Sequence, residues 1–281
     1  MSSRRDTIRR IADAVSGIYD RREAEAMARI VVADREAIPA AQLLVFGDEP
    51  CRIPEAEYDR LAAELAEGRP VQYVLGHCEF CGLDFEVGEG VLIPRPETEE
   101  LVAEVCRRAG RGSRILDLCT GSGCIAAALA AKVEGAQVTA VDISERALRY
   151  ARRNAERAGV GVEFIEADVL GELGELHGRS FDIIVANPPY IPLSDRASMH
   201  INVCRYEPHE ALFVADERPF IFYEAIAGAA LRLLERGGSL CFEIYELFAV
   251  PVCEMLAQRG FTDIAAIEDI NSKPRIVCCR R

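Results

Sequence analysis

Two groups of residues in this 281-residue chain have types and spacing suited to chemistry. The first is Asn187-Pro188-Pro189-Tyr190, directly after the apolar run Phe181 to Ala186. A planar amide or exocyclic amine is a poor nucleophile because its nitrogen lone pair is delocalised, so a catalyst for its alkylation must chiefly orient that nitrogen. Asn187 Oδ1 and the Pro188 carbonyl offer acceptors for two N–H bonds. They stabilise the positive character that the nitrogen gains during attack. The prolines hold the carbonyl rigidly, and Tyr190 offers a ring face to a flat substrate group. A rigid Pro-Pro turn capped by Asn187 is the plainer alternative. Its place at the carboxyl end of a strand, beside the second group, weighs against it.

The second group begins with Arg114 to Leu118, which reads as a strand, followed by the small-residue turn Cys119-Thr120-Gly121-Ser122-Gly123 and a helix from Cys124. Small residues let the backbone approach a ligand closely, and the helix start offers unpaired N–H groups. Asp142 ends the next strand, where an acidic side chain accepts from two ribose hydroxyls. Asp168, closing the third strand ahead of Val169, is placed to face an adenine edge. On these residues alone an NAD-dependent oxidoreductase stays open, because Gly121-x-Gly123-x-x-Ala126 also matches the dinucleotide fingerprint. A plain strand-to-helix turn stays open too. The Asn-Pro-Pro-Tyr loop favours methyl transfer from S-adenosyl-L-methionine.

Three segments must position these groups. Residues 1–75 read as helices alone; Tyr58, Leu61, Ala62 and Leu65 fall at i, i+3, i+4 and i+7, one apolar face of a helix. Residues 76–96 hold short alternating runs among Gly82, Gly88 and Gly90, which predict a connecting hairpin. Residues 97–281 alternate helix and strand. Strands are expected at 114–118, 137–142, 162–166, 181–186, 239–245, 261–267 and 275–280. Their near-continuous apolar character predicts an α/β fold with a mostly parallel seven-stranded sheet covered on both faces. A short polar loop, Asp269 to Pro274, makes the last strand antiparallel.

Composition narrows the partners. With 50% hydrophobic residues there is room for one large and one smaller core. A net charge of -13 argues against the cationic surface that nucleic acid requires. No apolar run is long enough for a membrane span, and MSSRRDTIRR lacks a secretory signal, so a cytoplasmic protein is expected. Most of the eleven cysteines, such as Cys124, Cys241, Cys278 and Cys279, sit in apolar runs as small hydrophobes. Cys78-Glu-Phe-Cys81 beside His77 has metal-like spacing but no second ligand pair nearby, so buried thiols are expected and no metal.

With these residues in hand, the chain resembles the bacterial release-factor glutamine N5-methyltransferases, the PrmC or HemK family. The likeness runs through Pro70 to Gly76, Leu92 to Glu99, Leu116 to Gly123, Val141 to Ser144, Asn187 to Ile191, Tyr206 to Pro208 and Leu240 to Ile244. Ile93-Pro-Arg-Pro-Glu-Thr-Glu99 is specific to that family and its ribosomal-protein relatives. The resemblance implies a helical substrate-recognition domain and a Rossmann-like methyltransferase domain. It also implies a glutamine in a Gly-Gly-Gln loop of peptide-chain release factors as acceptor. Cys119, Thr120, Gly121, Ser122, Gly123, Asp142, Asp168, Val169 and Asn187 then fall in the cofactor site, and Asn187 to Tyr190 hold the glutamine. Arg95 to Thr98 lie near the cofactor or the domain seam, or form a structural ion-pair and cap cluster. Cys119 stands where the family usually has glycine, Val169 where an aromatic often packs on adenine, and Tyr245 where glycine commonly follows Glu-Ile. The nearest alternatives are a ribosomal-protein glutamine methyltransferase and an adenine-N6 nucleic-acid methyltransferase.

Overall fold

Each N-terminal helix buries the face on which its apolar residues recur, in the computed structural model, which describes residues 2–281. Helix α1 (Arg4–Val15) is capped by Ser3, whose side chain accepts from the Asp6 backbone, and α2 (Arg21–Arg35) is capped by Asp20. The short α3 (Leu43–Phe46) precedes α4 (Glu55–Ala66) and α5 (Val71–Leu75). On α4 the buried face is Tyr58, Leu61, Ala62 and Leu65, the spacing read from the sequence. These side chains join Ile11, Val15, Val31 and Val32 in one core. Arg4 is buried beside Glu36 at 2.9 Å, so its charge is paired inside the unit.

A second, larger unit starts at Cys78. Strands β1 (His77–Phe80) and β2 (Leu83–Glu86) form a hairpin around Cys81 and Gly82. Helix α6 (Pro96–Arg108) places proline in its first turn, where the missing N–H costs nothing. Then follow β3 (Arg114–Leu118), α7 (Cys124–Lys132), β4 (Gln137–Asp142), α8 (Glu145–Arg157), β5 (Val162–Glu166) and β6 (Phe181–Ala186). The two-residue strands β7 (Ile191–Pro192) and β8 (Phe213–Val214) pair with each other and flank α9 (Ile201–Tyr206). His200 to Tyr206 belong to the helical unit, where His200 stacks on Tyr19 at 4.9 Å and the Tyr206 hydroxyl donates to the Glu67 carbonyl. Sequence reading gave that segment no such place.

The chain closes with α10 (Ile221–Leu233), β9 (Leu234–Glu243), α11 (Ala249–Gln258), β10 (Thr262–Glu268) and β11 (Pro274–Arg280). Seven strands form one sheet in the order β10-β11-β9-β6-β3-β4-β5, and β11 alone runs antiparallel to its neighbours. This is a Rossmann-like α/β architecture. Successive side chains of a strand enter opposite layers. Thus Leu116 and Leu118 pack with Ile184, Tyr223 and Phe242 on one face, while Ile115 joins Ile183, Leu101 and Ile125 on the other. Cys124, Cys241, Cys278 and Cys279 are free thiols within these layers. Among the described residues no helix is long and apolar enough to cross a membrane.

The approach of α7 to α8 sets one exacting position. Gly123 precedes α7 at φ 77°, and a Cβ there would lie 2.8 Å from Ala151 Cβ and 2.9 Å from Ala151 Cα on α8. Gly123→Ala therefore meets both a left-handed backbone and a hard contact, and should destabilise the protein by about 1–3 kcal/mol. Urea denaturation measures this; an unchanged midpoint would mean that α8 yields freely.

Candidate active site

The strand order reverses at β3: β4 and β5 lie to one side, β6 and β9 to the other. Loops leaving β3 and β6 therefore diverge and open a crevice at the carboxyl edge of the sheet. A cavity of about 240 Å³ occupies it. Of the residues singled out in the sequence, Cys119, Thr120, Gly121, Ser122, Asp142, Asp168, Val169, Asn187 and Pro189 line this cavity. Gly123, Pro188 and Tyr190 do not. Arg95 and Thr98 line it as well, joined by Gly90 to Leu92 and Phe222, which were not read from the sequence as site residues.

On the β3–β4 side the loop is held by carboxylates. Asp142 Oδ2 accepts from Gly121 N at 2.8 Å, and its Oδ1 accepts from Ser144 N at 2.9 Å. Burial raises the Asp142 carboxyl, and these N–H groups pull it back down. Thr120 donates to Asp117 Oδ2 at 2.5 Å beneath the turn. Cys119 has φ 63°, the left-handed region that favours glycine, which is the physical reason a glycine suits this place. Asn154 on α8 is fully buried and donates to the carbonyls of both Ser122 and Glu86, tying the turn to β2. Asp168 Oδ1 accepts from Leu170 N at 2.8 Å, next to the apolar surfaces of Ile143, Val169 and Leu170.

On the β6 side, Asn187 donates through Nδ2 to Thr98 Oγ1 at 3.3 Å, and Thr98 donates to Glu243 Oε2 at 2.6 Å. The Tyr190 hydroxyl donates to Glu243 Oε1 at 3.0 Å, and the Tyr190 ring stacks on Tyr245 at 6.3 Å. Its ring thus stands against Tyr245, and the Tyr245 hydroxyl is held by Asp195. Glu207, also buried, accepts from Ile93 N and from Arg95, so Arg95 lies in an ion pair and at the cavity wall at once. Glu243, Glu207, Asp117 and Asn154 were not read as site residues. Glu243 carried a signal nonetheless: an acidic residue inside the apolar run Leu240 to Ile244 is a buried charge that needs partners.

The thiols of Cys78 and Cys81 are pushed up by burial to about 12 and about 11, so both stay protonated at neutral pH. Among the described residues no group of three or more His, Cys, Asp or Glu side chains could hold a metal ion.

This chain is similar to known proteins. The family model of the methyltransferase small domain matches residues 97–202. A release factor glutamine methyltransferase of Bacteroides thetaiotaomicron is 38% identical, covering 96% of this chain and 98% of that protein. Another of the same name, from Chlorobaculum tepidum, is 42% identical over 85% of this chain and 84% of its own length. Among solved structures, a methyltransferase from Pyrococcus furiosus superposes with a TM-score of 0.53 at 20% identity, covering 71% of this chain and 89% of that one. That likeness concerns the fold.

The carboxyl beneath the turn generates a pH prediction. Burial, opposed by the Thr120 hydroxyl, raises Asp117 to about 7. Between about pH 4, the unfolded carboxyl's range, and pH 7 the native state keeps a proton that the unfolded chain has released, so this group's contribution to stability falls as pH rises. Asp117→Asn removes the titration. The stability of the wild type relative to this variant should decline across pH 4–7 and level off above; parallel profiles from pH-dependent denaturation would contradict the raised value.

Proposed function

This chain belongs to the family of release factor glutamine methyltransferases, and we propose that it transfers a methyl group from S-adenosylmethionine to the side-chain amide nitrogen (N5) of a glutamine in the Gly-Gly-Gln loop of peptide-chain release factors. The observation that carries this reading is that Asn187 and Pro189 share one cavity with Cys119 to Ser122 and Asp142. A side chain able to orient an amide thus borders the same space as a turn able to hold a nucleoside.

The residues suit S-adenosylmethionine. A Cβ on Gly121 would meet nothing within 4 Å beyond its chain neighbours, so the backbone borders open space that a ligand can fill. Asp142 borders the cavity and, as a carboxylate, keeps acceptor capacity beyond the backbone N–H groups that it holds, which suits a ribose hydroxyl. Asp168 keeps Oδ2 beside the apolar surfaces of Ile143, Val169 and Leu170, which suits the edge and faces of adenine. When bound, S-adenosylmethionine supplies a methyl group on a positively charged sulfur that departs as a neutral thioether.

The chain's own residues do the rest by orientation. Asn187 Oδ1 and the Pro188 carbonyl accept the two N–H bonds of the glutamine amide and aim its nitrogen at the methyl carbon. Both acceptors hold more strongly as the nitrogen becomes positive, which lowers the barrier rather than the ground state. Asn187, Pro188 and Pro189 carry no basic group, so this loop orients the nitrogen and does not take up the proton that it sheds. The helical unit supplies docking area for the folded protein substrate: Leu44 and Val45 on α3 are 76% and 73% exposed and offer apolar contact. The reaction belongs in the cytoplasm, where peptide-chain release takes place.

Asp142→Ala should weaken S-adenosylmethionine binding by about 1.5–3 kcal/mol, the loss of charge-assisted hydrogen bonds; calorimetry that finds wild-type affinity removes Asp142 from the site. Asn187→Ala should leave that affinity nearly intact while turnover drops by about a hundredfold or more. Release-factor variants with Gln, Asn and Glu at the acceptor position test the reaction itself. Asparagine is one methylene short, a misplacement worth about a hundredfold, and glutamate offers no N–H donors, so the order should be Gln far above Asn with Glu undetectable. Similar methyl transfer to all three would sink the amide assignment.

A further inference from the structure

An asparagine side chain can present either oxygen or NH₂ to a neighbour, and only one of the two orientations leaves Oδ1 free for a substrate N–H. The surroundings of Thr98 settle the choice. Thr98 is 2% exposed and has a single hydroxyl proton. Its Oγ1 stands 2.6 Å from Glu243 Oε2, while Glu243 Oε1 takes the Tyr190 hydroxyl at 3.0 Å. Two hydroxyls donating to one carboxyl group is the arrangement that an ionised carboxylate satisfies, since it only accepts. With its proton committed to Glu243, Thr98 can only accept on its other side. Asn187, 3.3 Å away there, must donate Nδ2, and its Oδ1 is turned away from Thr98.

We propose that Thr98 and Glu243 are positioning residues that fix the amide polarity of Asn187, so that its Oδ1 is held ready for the substrate amide. This rests on the methyl-transfer reading given above and adds to it the device that orients the loop. Glu243 is 3% exposed and sits where β9 ends, next to β6 in the sheet. Burial raises its carboxyl, while the Thr98 and Tyr190 hydroxyls and the charge of Arg275 hold it down. The same carboxylate grips both ends of the Asn187–Tyr190 loop, Asn187 through Thr98 and Tyr190 directly. Thr98 reaches Asn187 from the first turn of α6, 89 residues earlier in the chain.

The test compares Thr98→Val, which keeps shape and removes the acceptor, with Thr98→Ser, which restores the hydroxyl. Single-turnover methylation of a release factor, its KM and the affinity for S-adenosylmethionine are measured for each. Thr98→Val should slow methyl transfer about ten- to a hundredfold, in the range of a misoriented reacting group. KM and cofactor affinity should stay within about twofold, and Thr98→Ser should recover most of the lost rate. Glu243→Gln perturbs the same polarity without touching Thr98 and should show the same split; it carries the test if Thr98→Val does not fold. Wild-type rates in both Thr98→Val and Glu243→Gln overturn the inference. So do equal losses in the valine and serine variants, or cofactor affinity falling in step with rate. Asn187→Ala runs alongside. If it is inactive while Thr98→Val is not, only the positioning role fails, whereas a wild-type enzyme that leaves the release factor unmethylated overturns the functional reading and this inference with it.

Discussion

Parallel strands all end on one edge of the sheet, and their register decides how closely the loops that leave them can cooperate. Leu118 of β3 pairs with Val141 of β4 on one side and Ala186 of β6 on the other. The next residues along the three strands, Cys119, Asp142 and Asn187, therefore stand at one level, Cys119 and Asn187 just past their strand ends and Asp142 as the last residue of β4, paired with Glu166. A slip of one residue would shift a loop by roughly 3.3 Å and turn alternate side chains to the opposite face. The apolar layers on both faces resist such a slip, because each strand would then bury its polar residues and expose part of its core. The site thus inherits its geometry from the packing of Ile115, Leu116, Ile183 and Ile184 beneath it.

Above that edge the fastening changes from apolar burial to buried carboxylates. Glu207 holds the backbone of Ile93 and the side chain of Arg95, Asp117 accepts from Thr120, Asp142 holds Gly121 and Ser144, and Glu243 holds Thr98 and Tyr190. A buried carboxylate is costly unless its oxygens are occupied by donors, so Glu207 and Glu243, with both oxygens engaged, specify their partners strictly, whereas Asp117, with one oxygen unpartnered, holds on to its proton instead. This is how irregular loops, which lack ladder bonds of their own, are kept in one arrangement around a cavity. Asn154 does the same with a neutral amide, using its oxygen for Glu86 N and its NH₂ for two carbonyls.

The departures from the family pattern acquire physical meaning in this frame. Cys119 adopts a left-handed backbone at the start of the turn, where its side chain packs on the core of the α10 face while its backbone pays the conformational strain. Val169 presents an aliphatic wall to the cavity in place of an aromatic plane and is itself nearly buried. Tyr245 fills the space over Tyr190, stacks on it and reaches Asp195, so the ring that sequence reading offered to the substrate is covered on one face by this chain's own side chain.

Strand limits at 114–118, 137–142, 162–166 and 181–186 coincide with those read from the sequence: β3 and β6, inside the sheet, are near-continuous apolar runs that carry their signal locally, while the edge strand β5 mixes apolar residues with the exposed Glu163 and Glu166. The turn Cys119 to Gly123, the strand-ending Asp142 and the Asn187 to Tyr190 loop were legible for the same reason: each is a short string whose residue types have a local purpose. Where local pattern fades, so does legibility. Strand β9 begins at Leu234 rather than 239, since Glu235, Arg236 and Gly237 are exposed and interrupt the apolar run. The attachment of His200 to Tyr206 to the helical unit has no signature in its own residues. Polar partners were the least visible part: Ile93 finds Glu207 across 114 positions and Thr98 finds Glu243 across 145. A buried polar group announces that it needs a partner, but the choice of partner is made by which strand ends and helix starts the topology brings within about 3 Å of each other. The sequence by itself determined the elements and the local chemistry of the loops, and the tertiary structure alone decided which side chain holds which.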